Sequence, residues 1–302
     1  MAKWRSRAAV LAILVAVPLT LANCGRVSFG LANVPAYFGS YSRRADIPYG
    51  TEPRQSLDVY VPTGAARRPI VVFWYGGTWQ KGAKEQYRFV GAALANSGYV
   101  AVLPDYRLFP QARFPQFIDD GALAVRWAHE HAAEIGGDPR ALFLMGHSAG
   151  AHLAALLALD EHYLRNVGAS HNWVRGWIGL SGPYDLTTAW SPLLREAFPP
   201  PYTAKDWQPI LLVSAHAPPA LLIHGAHEWV PAQQADLLTQ ALTGVGVPVD
   251  CHLYDGASHF DTVGAFSLPL RAEAPTLADV RFFIERTTRG APPRAPCPDL
   301  SS

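Results

Sequence analysis

The sequence predicts an α/β fold: a mostly parallel sheet with helices on both faces. Two observations carry that prediction. From Val59 onward, short and fully apolar runs alternate with longer helical patterns. Strands with no polar side are buried on both faces, as in parallel sheets. The chain also has 302 residues, 49% hydrophobic and only 16% charged. That supplies a full core and lies below the ~25% charge of an average globular chain, which argues against disorder.

The elements follow in chain order. Lys3, Arg5 and Arg7 precede an uncharged run from Ala8 to Ala22. The run is too short for a spanning helix, which needs about 20 residues, and it reads as a secretory signal. It ends in Leu21-Ala22-Asn23-Cys24, which resembles a bacterial lipobox with Cys24 as the lipidated residue. Cleavage after Ala22 without a lipid, or an uncleaved anchor, stand beside that reading. All three put the domain outside the cytoplasm, with the membrane reached through an N-terminal anchor only. Residues 1–24 are set apart as signal, 25–44 as a lead-in, 45–288 as the main α/β domain and 289–302 as a Pro-rich tail.

Within the domain, Leu57 to Val61 is expected to begin an antiparallel edge. Strands are expected over Ile70–Tyr75, Tyr99–Leu103, Ala141–Met145, Trp177–Leu180, Ala220–Ile223 and Val249–Tyr254. Helical patterns cover Lys84–Asn96, Phe117–Ile135, Ala149–Leu159, Gln233–Leu242 and Leu277–Arg286. Asp185 to Pro219 is long and Pro-rich, the form of a small cap over a site.

Several function classes find no support. A net charge of +1 leaves no basic excess to neutralise phosphates, so no nucleic-acid partner is expected. No Gly-rich dinucleotide fingerprint or phosphate loop is present. His129-Glu130-His131 has the wrong helical spacing for two metal ligands. His227-Glu228 runs into Trp229-Val230-Pro231 and is no helical zinc motif, so no metal is expected. Of the 3 cysteines, Cys251 and Cys297 are free or pair in an oxidising compartment.

The strongest signal is Gly146-His147-Ser148-Ala149-Gly150, with a predicted strand before it and a helix after it. That context turns a weak Gly-x-Ser-x-Gly match into a nucleophile elbow. The competing reading is a helix entry with a capping serine. A serine hydroxyl needs a base, and the base needs an orienting acid. His259, just after the last strand, is the candidate base. His147 neighbours Ser148 but is expected to point the other way, His152 to be structural, and His129 and His131 to face solvent. Glu228, after the penultimate strand, is the candidate acid. Asp185 is the second choice, against an Asx-turn reading. For the oxyanion hole, Ala149 offers an N–H at the helix N-terminus. Gly77 and Thr78, then Gly76, offer others in the loop after Tyr75.

These residues carry a resemblance. With Gly76-Gly77-x-Trp79, Pro104-Asp105-Tyr106-Arg107-Leu108-Phe109-Pro110, Phe114-Pro115, Asp119-Asp120 and Ser181-Gly182-Pro183-Tyr184-Asp185, the chain resembles the α/β-hydrolase superfamily. It is most similar there to compact bacterial carboxylesterases related to prenylcysteine methylesterases, feruloyl esterases and kynurenine formamidases. Two positions depart from the pattern: Tyr75 stands where His is usual, and Glu228 where Asp is usual. The resemblance implies an eight-stranded sheet and an esterase of small to medium carboxylic esters with no cofactor. It also implies an acyl-enzyme on Ser148 and activity that rises as His259 deprotonates, roughly between pH 6 and 8. An arylformamidase-like amide hydrolase or an inactive binding protein of the same fold are the alternatives. Trp79, Trp190 and Trp229, with Phe198 and Trp207, are expected around the pocket. The sequence does not indicate an oligomeric state.

Overall fold

The computed structural model describes residues 29–64, 67–187 and 191–291. Cys24, Cys297 and Trp190 lie outside the described residues. Eight strands form one sheet: β1 Tyr41–Pro48, β2 Ser56–Pro62, β3 Arg68–Trp74, β4 Val100–Pro104, β5 Gly137–His147, β6 Val174–Leu180, β7 Ala220–His227 and β8 Val249–Ser258. Their order is β1-β2-β4-β3-β5-β6-β7-β8. The pairs β1/β2 and β2/β4 are antiparallel and the rest are parallel.

The expected edge at Leu57–Val61 is β2, and it lies one strand in from the edge. The edge is β1, which begins inside the segment read as lead-in. Its residues Tyr41, Ser42, Arg43, Arg44, Ala45 and Asp46 are half-buried or exposed and show no apolar alternation. A charged edge of this kind resists pairing with other chains, and for the same reason it leaves no strand signal.

Helices α1 Arg88–Asn96, α2 Gln116–Glu130, α3 Ala149–Leu159, α4 Gln233–Gly244 and α5 Thr276–Arg289 cover the sheet. All of α3 is buried, as its lack of a polar face requires. The predicted helix at Lys84 starts as a 3-10 turn, Lys84–Tyr87, before α1. Helix α2 stops at Glu130, short of Ile135, and Gly136 with φ 72° turns the chain back toward β5. His129 and His131 do not face solvent freely. They are half-buried, stacked on Trp173 at 3.7 Å and on Trp127 at 4.5 Å.

The topology fixes where a site belongs. From β3 the chain crosses to β4 on one side, and from β5 it runs to β6 on the other. The C-terminal ends of β3 and β5 therefore flank a switch point, the usual crevice of open α/β sheets. Trp74 and Gly146 pair there. The loop after Trp74 and the turn at Ser148 thus leave the sheet side by side. Between β7 and β8 the register ends with His227 opposite Ser258. The next residues on each strand, Glu228 and His259, emerge as neighbours.

Candidate active site

Ser148 sits between β5 and α3 with φ 55° and ψ −120°. That conformation is strained for an L-residue. Its side chain makes no helix-capping bond, so the capping reading has no counterpart. The Ser148 N–H donates to the Leu180 carbonyl at 2.8 Å, which fixes the turn on the end of β6. The flanking glycines allow the turn. A Cβ on Gly146 would lie 2.1 Å from the Gly150 carbonyl oxygen, and one on Gly150 would lie 2.1 Å from that of Trp74.

His259 follows β8. Its Nδ1 lies 2.5 Å from Glu228 Oε2, and its carbonyl accepts from His147 Nε2 at 2.9 Å and Thr262 Oγ1 at 3.1 Å. His147 therefore does not point away from the site, as the sequence suggested. It ties the residue before Ser148 to the main chain of His259, with ring centroids 4.8 Å apart. Burial, aided by the His259 charge, holds the His147 imidazole down at about 3. It is a fixed, neutral N–H donor at any working pH.

Glu228 is held from three sides. Oε1 accepts from the Gly225 N–H at 2.7 Å and from Ser181 Oγ at 2.9 Å, while Oε2 faces His259. Ser181 Oγ in turn lies 2.8 Å from Thr262 Oγ1. Burial pushes the Glu228 carboxyl up, but the neighbouring His224 and His259 rings outweigh it and hold the group at about 2. It remains a carboxylate wherever a histidine base is active. Asp185 instead accepts from Thr187 N–H at 2.9 Å and Thr187 Oγ1 at 2.6 Å. This is an Asx turn, the alternative to a role as acid. Among the described residues it bonds no histidine.

The loop after β3 runs through three positive φ values, Gly77 at 134°, Thr78 at 53° and Trp79 at 59°. The Gly77 carbonyl turns inward and accepts from the Gln80 and Lys81 N–H groups at 3.0 and 3.1 Å. In a trans peptide the N–H opposes the carbonyl, so the Thr78 N–H points the other way. None of the turn and loop bonds among the described residues takes the N–H of Gly77 or Thr78. The Ala149 N–H, at the first position of α3, has no intrahelical acceptor. Thr78 and Ala149 line the same cavity as Ser148, whereas Gly77 does not reach its wall. Tyr75, one of the two departures, lies beneath this loop. Its ring stacks between Tyr87 and Tyr106, and its hydroxyl donates to Asp105 at 2.6 Å and accepts from Arg54 at 2.7 Å.

The cavity beside Ser148 measures about 180 Å3 and is mostly apolar, with Trp79, Leu186, Leu194, Trp229 and Val230 in its wall. That is below the roughly 300–1,000 Å3 of a drug-sized pocket. Trp79 is buried, edge-on to His152 and Phe198, each at 5.1 Å. Phe198 and Trp207 pack behind it and do not line the cavity. His152 is structural, as expected, with Nε2 2.8 Å from the Trp207 carbonyl. Trp229 is 65% exposed and lies 4.4 Å from the His259 ring. It stands between His259 and the cavity beside Ser148. Part of the expected cap, with a helix at Pro192–Ala197, closes the far side.

Sequence reading missed Ser181, Thr262, His147 and His224. Their contacts join separate loops and strand ends, and such contacts leave no periodic signal. Cys251 is disulfide-bonded, and its partner lies outside the described residues, where both other cysteines fall. No cluster of three or more His, Cys, Asp or Glu side chains among the described residues is placed to hold a metal. Among the same residues no helix is long and apolar enough to cross a membrane.

The BD-FAE family model matches residues 57–242. The isoprenylcysteine alpha-carbonyl methylesterase ICME of Arabidopsis thaliana is 32% identical over 251 residues, covering 75% of this chain and 58% of its own. The esterase LipC of Mycobacterium tuberculosis is 33% identical over 228 residues, covering 68% and 56%. The chain thus spans less than three fifths of the length of these relatives. Among solved structures, esterase B from Lactobacillus rhamnosis superposes with a TM-score of 0.78 at 22% identity, covering 95% of this chain and 98% of that one. The hyperthermophilic esterase from Pyrobaculum calidifontis gives 0.71 at 24%, covering 91% and 93%. At these identities the likeness speaks for the α/β-hydrolase fold.

Proposed function

The chain belongs to the BD-FAE family, and from that premise we propose that it is a serine hydrolase of small to medium carboxylic esters. Ser148 Oγ attacks the acyl carbon while His259 Nε2 takes its proton. The N–H groups of Ala149 and Thr78 receive the oxyanion, and Glu228 steadies the imidazolium. The tetrahedral intermediate expels the alcohol, which takes the proton from His259. Water then cleaves the acyl-enzyme, with His259 accepting its proton and returning one to Ser148.

The observation that carries this reading is the 2.5 Å contact of Glu228 Oε2 with His259 Nδ1, beside a serine in a strained elbow. A fluorophosphonate probe should label Ser148, and the protein should hydrolyse p-nitrophenyl butyrate. Absence of both in folded protein would sink the proposal. Hydrolysis of an N-formyl aromatic amide in preference to the ester would replace it with the amidase reading.

The small apolar cavity supports a short acyl group, with Trp79 as its floor. Trp79→Ala should move the preferred p-nitrophenyl ester toward longer acyl chains by at least two carbons. An unchanged chain-length profile would remove Trp79 from the acyl pocket. Export with a lipid on Cys24 is the companion proposal, supported by the charged start, the apolar run and Leu21-Ala22-Asn23-Cys24. Cys24→Ala should shift the protein from the membrane fraction to the soluble fraction. Equal partition of both forms would count against the anchor.

A further inference from the structure

Residues 29–33 are helical and run into a 3-10 turn at Val34–Tyr37. The stretch is fastened to the domain by its polar groups. Asn33 is buried. Its Nδ2 donates to the Glu85 and Gln86 carbonyls, each at 3.1 Å, and its Oδ1 accepts from the Phe89 N–H at 2.9 Å. Ser267 Oγ donates to the Ala32 carbonyl at 2.7 Å. The apolar side chains face the other way. Leu31, Val34, Tyr37 and Phe38 are each at least half exposed, Phe38 by 84%. Positions three apart fall on one side of a helix or a 3-10 turn, so Leu31, Val34 and Tyr37 share that side. A pinned turn with its asparagine inward and its aromatic rings outward is the reverse of a packed lead-in.

These side chains border a groove against α1. It holds about 450 Å3 and is walled by Val34, Phe38, Phe89, Phe266, Leu268 and Arg271. Leu268 is also exposed. Among the described residues no carboxylate is in the wall. Arg88 holds its guanidinium 5.8 Å from the centre of the Tyr37 ring and donates to the Tyr37 hydroxyl at 3.0 Å. Arg271 donates to the Phe266 carbonyl at 3.3 Å. Neither arginine forms an ion pair among the described residues. A contiguous apolar face of this kind marks an interaction site, and its two cations favour an anionic partner.

The position of the face along the chain selects the partner. Cys24 stands five residues before Phe29. Five residues span at most about 18 Å, whereas a domain of this length is roughly 50 Å across. A lipid on Cys24 therefore holds this end of the domain against the bilayer and keeps the opposite end away from it. We propose that the face made by Leu31, Val34, Tyr37, Phe38 and Leu268, with Arg88 and Arg271, docks on an anionic membrane surface. The apolar side chains enter the headgroup region, and the arginines meet lipid phosphates. The proposal rests on the lipid-anchor reading of Cys24. The face alone holds weakly, and with the tether it fixes how the domain lies on the bilayer. Phe29 meets Phe260 edge-on at 5.5 Å, so the docked face adjoins the loop that carries His259.

Protein carrying Cys24→Ala, which has no site for the lipid, reads the face by itself. It should sediment with phosphatidylcholine vesicles that contain about 30% phosphatidylglycerol, an anionic surface that attracts arginine. Its affinity should fall about tenfold on pure phosphatidylcholine, and likewise in about 1 M salt, where charges are screened within about 3 Å. Phe38→Asp and Leu268→Asp, each added to Cys24→Ala, should lower it about tenfold or more. Both side chains are exposed, so the melting temperature should not move. No sedimentation, or equal sedimentation of the Asp variants, would overturn the proposal. A dimer that Phe38→Asp disperses, without vesicle binding, would give the face to a second copy of the chain and overturn it too. The tether is tested separately. If the protein is equally soluble with and without Cys24→Ala, the lipid-anchor reading fails, while sedimentation still reports the face. If both forms stay in the membrane fraction, Phe38→Trp replaces sedimentation. Its added fluorescence should be quenched by brominated lipid, and an unquenched indole would sink the docking.

Discussion

A chain carrying Ser148→Ala should lose hydrolysis of p-nitrophenyl butyrate by about 10^5-fold or more, as nucleophile removal does in comparable triads, while keeping its melting temperature. The second half of that expectation comes from the elbow. The Ser148 hydroxyl makes no capping bond, and alanine at φ 55° has the same Cβ and so the same strain. The turn is held by main-chain contacts and by close approach at Gly146 and Gly150, none of which the change touches. A folded Ser148→Ala protein with activity within tenfold of the unmodified chain would exclude Ser148 as nucleophile. Equal loss of fluorophosphonate labelling and of turnover would tie both to one oxygen.

Most of this site was legible because its strongest parts are local. The elbow needs tiny residues on either side of the serine, with a strand before and a helix after, all within one stretch of sequence. The order of serine, acid and histidine along the chain then follows from the sheet, since each sits just past the C-terminal end of a parallel strand. What sequence did not show is how those ends are brought into register. Glu228 and His259 meet because β7 and β8 stay paired as far as His227 and Ser258, after an irregularity at Gly225. A Cβ on Gly225 would lie 2.3 Å from the Ala257 carbonyl oxygen. The polar frame was equally hidden. Ser181, Thr262, His147 and His224 come from four separate loops or strand ends, and nothing in their spacing links them. The edge strand β1 escaped notice for the opposite reason. Its charged residues serve solubility and carry no apolar pattern. The aromatic residues were sorted only by packing: Trp79 is a cavity wall, Phe198 and Trp207 are its backing, and Trp229 is an exposed cover over the base.

Glu228→Gln should reduce kcat/KM by about 10^4-fold, and Glu228→Asp by less. The carboxylate receives donors at both oxygens: the Gly225 N–H and Ser181 Oγ on one, His259 Nδ1 on the other. A glutamine can accept on one side only. Its carbonyl oxygen goes where two donors wait, so its NH2 group faces His259. Nδ1 must then become the acceptor, and the ring proton moves to Nε2. That is the nitrogen that has to take the proton from Ser148, and the wrong tautomer costs about 10^4-fold in triads of this kind. Aspartate keeps the charge and the acceptors but is one methylene shorter. It can hold Nδ1 or the Gly225 and Ser181 donors well, but not both. Its loss should therefore be of geometry, about 10–100-fold by analogy with misplacement near a reacting group, with the pH dependence retained. The ranking of the three chains, measured on one ester across pH, separates charge from reach. Were Glu228→Gln to stay within tenfold of the unmodified chain, the orienting role would pass from Glu228, and Asp185→Asn would become the informative variant.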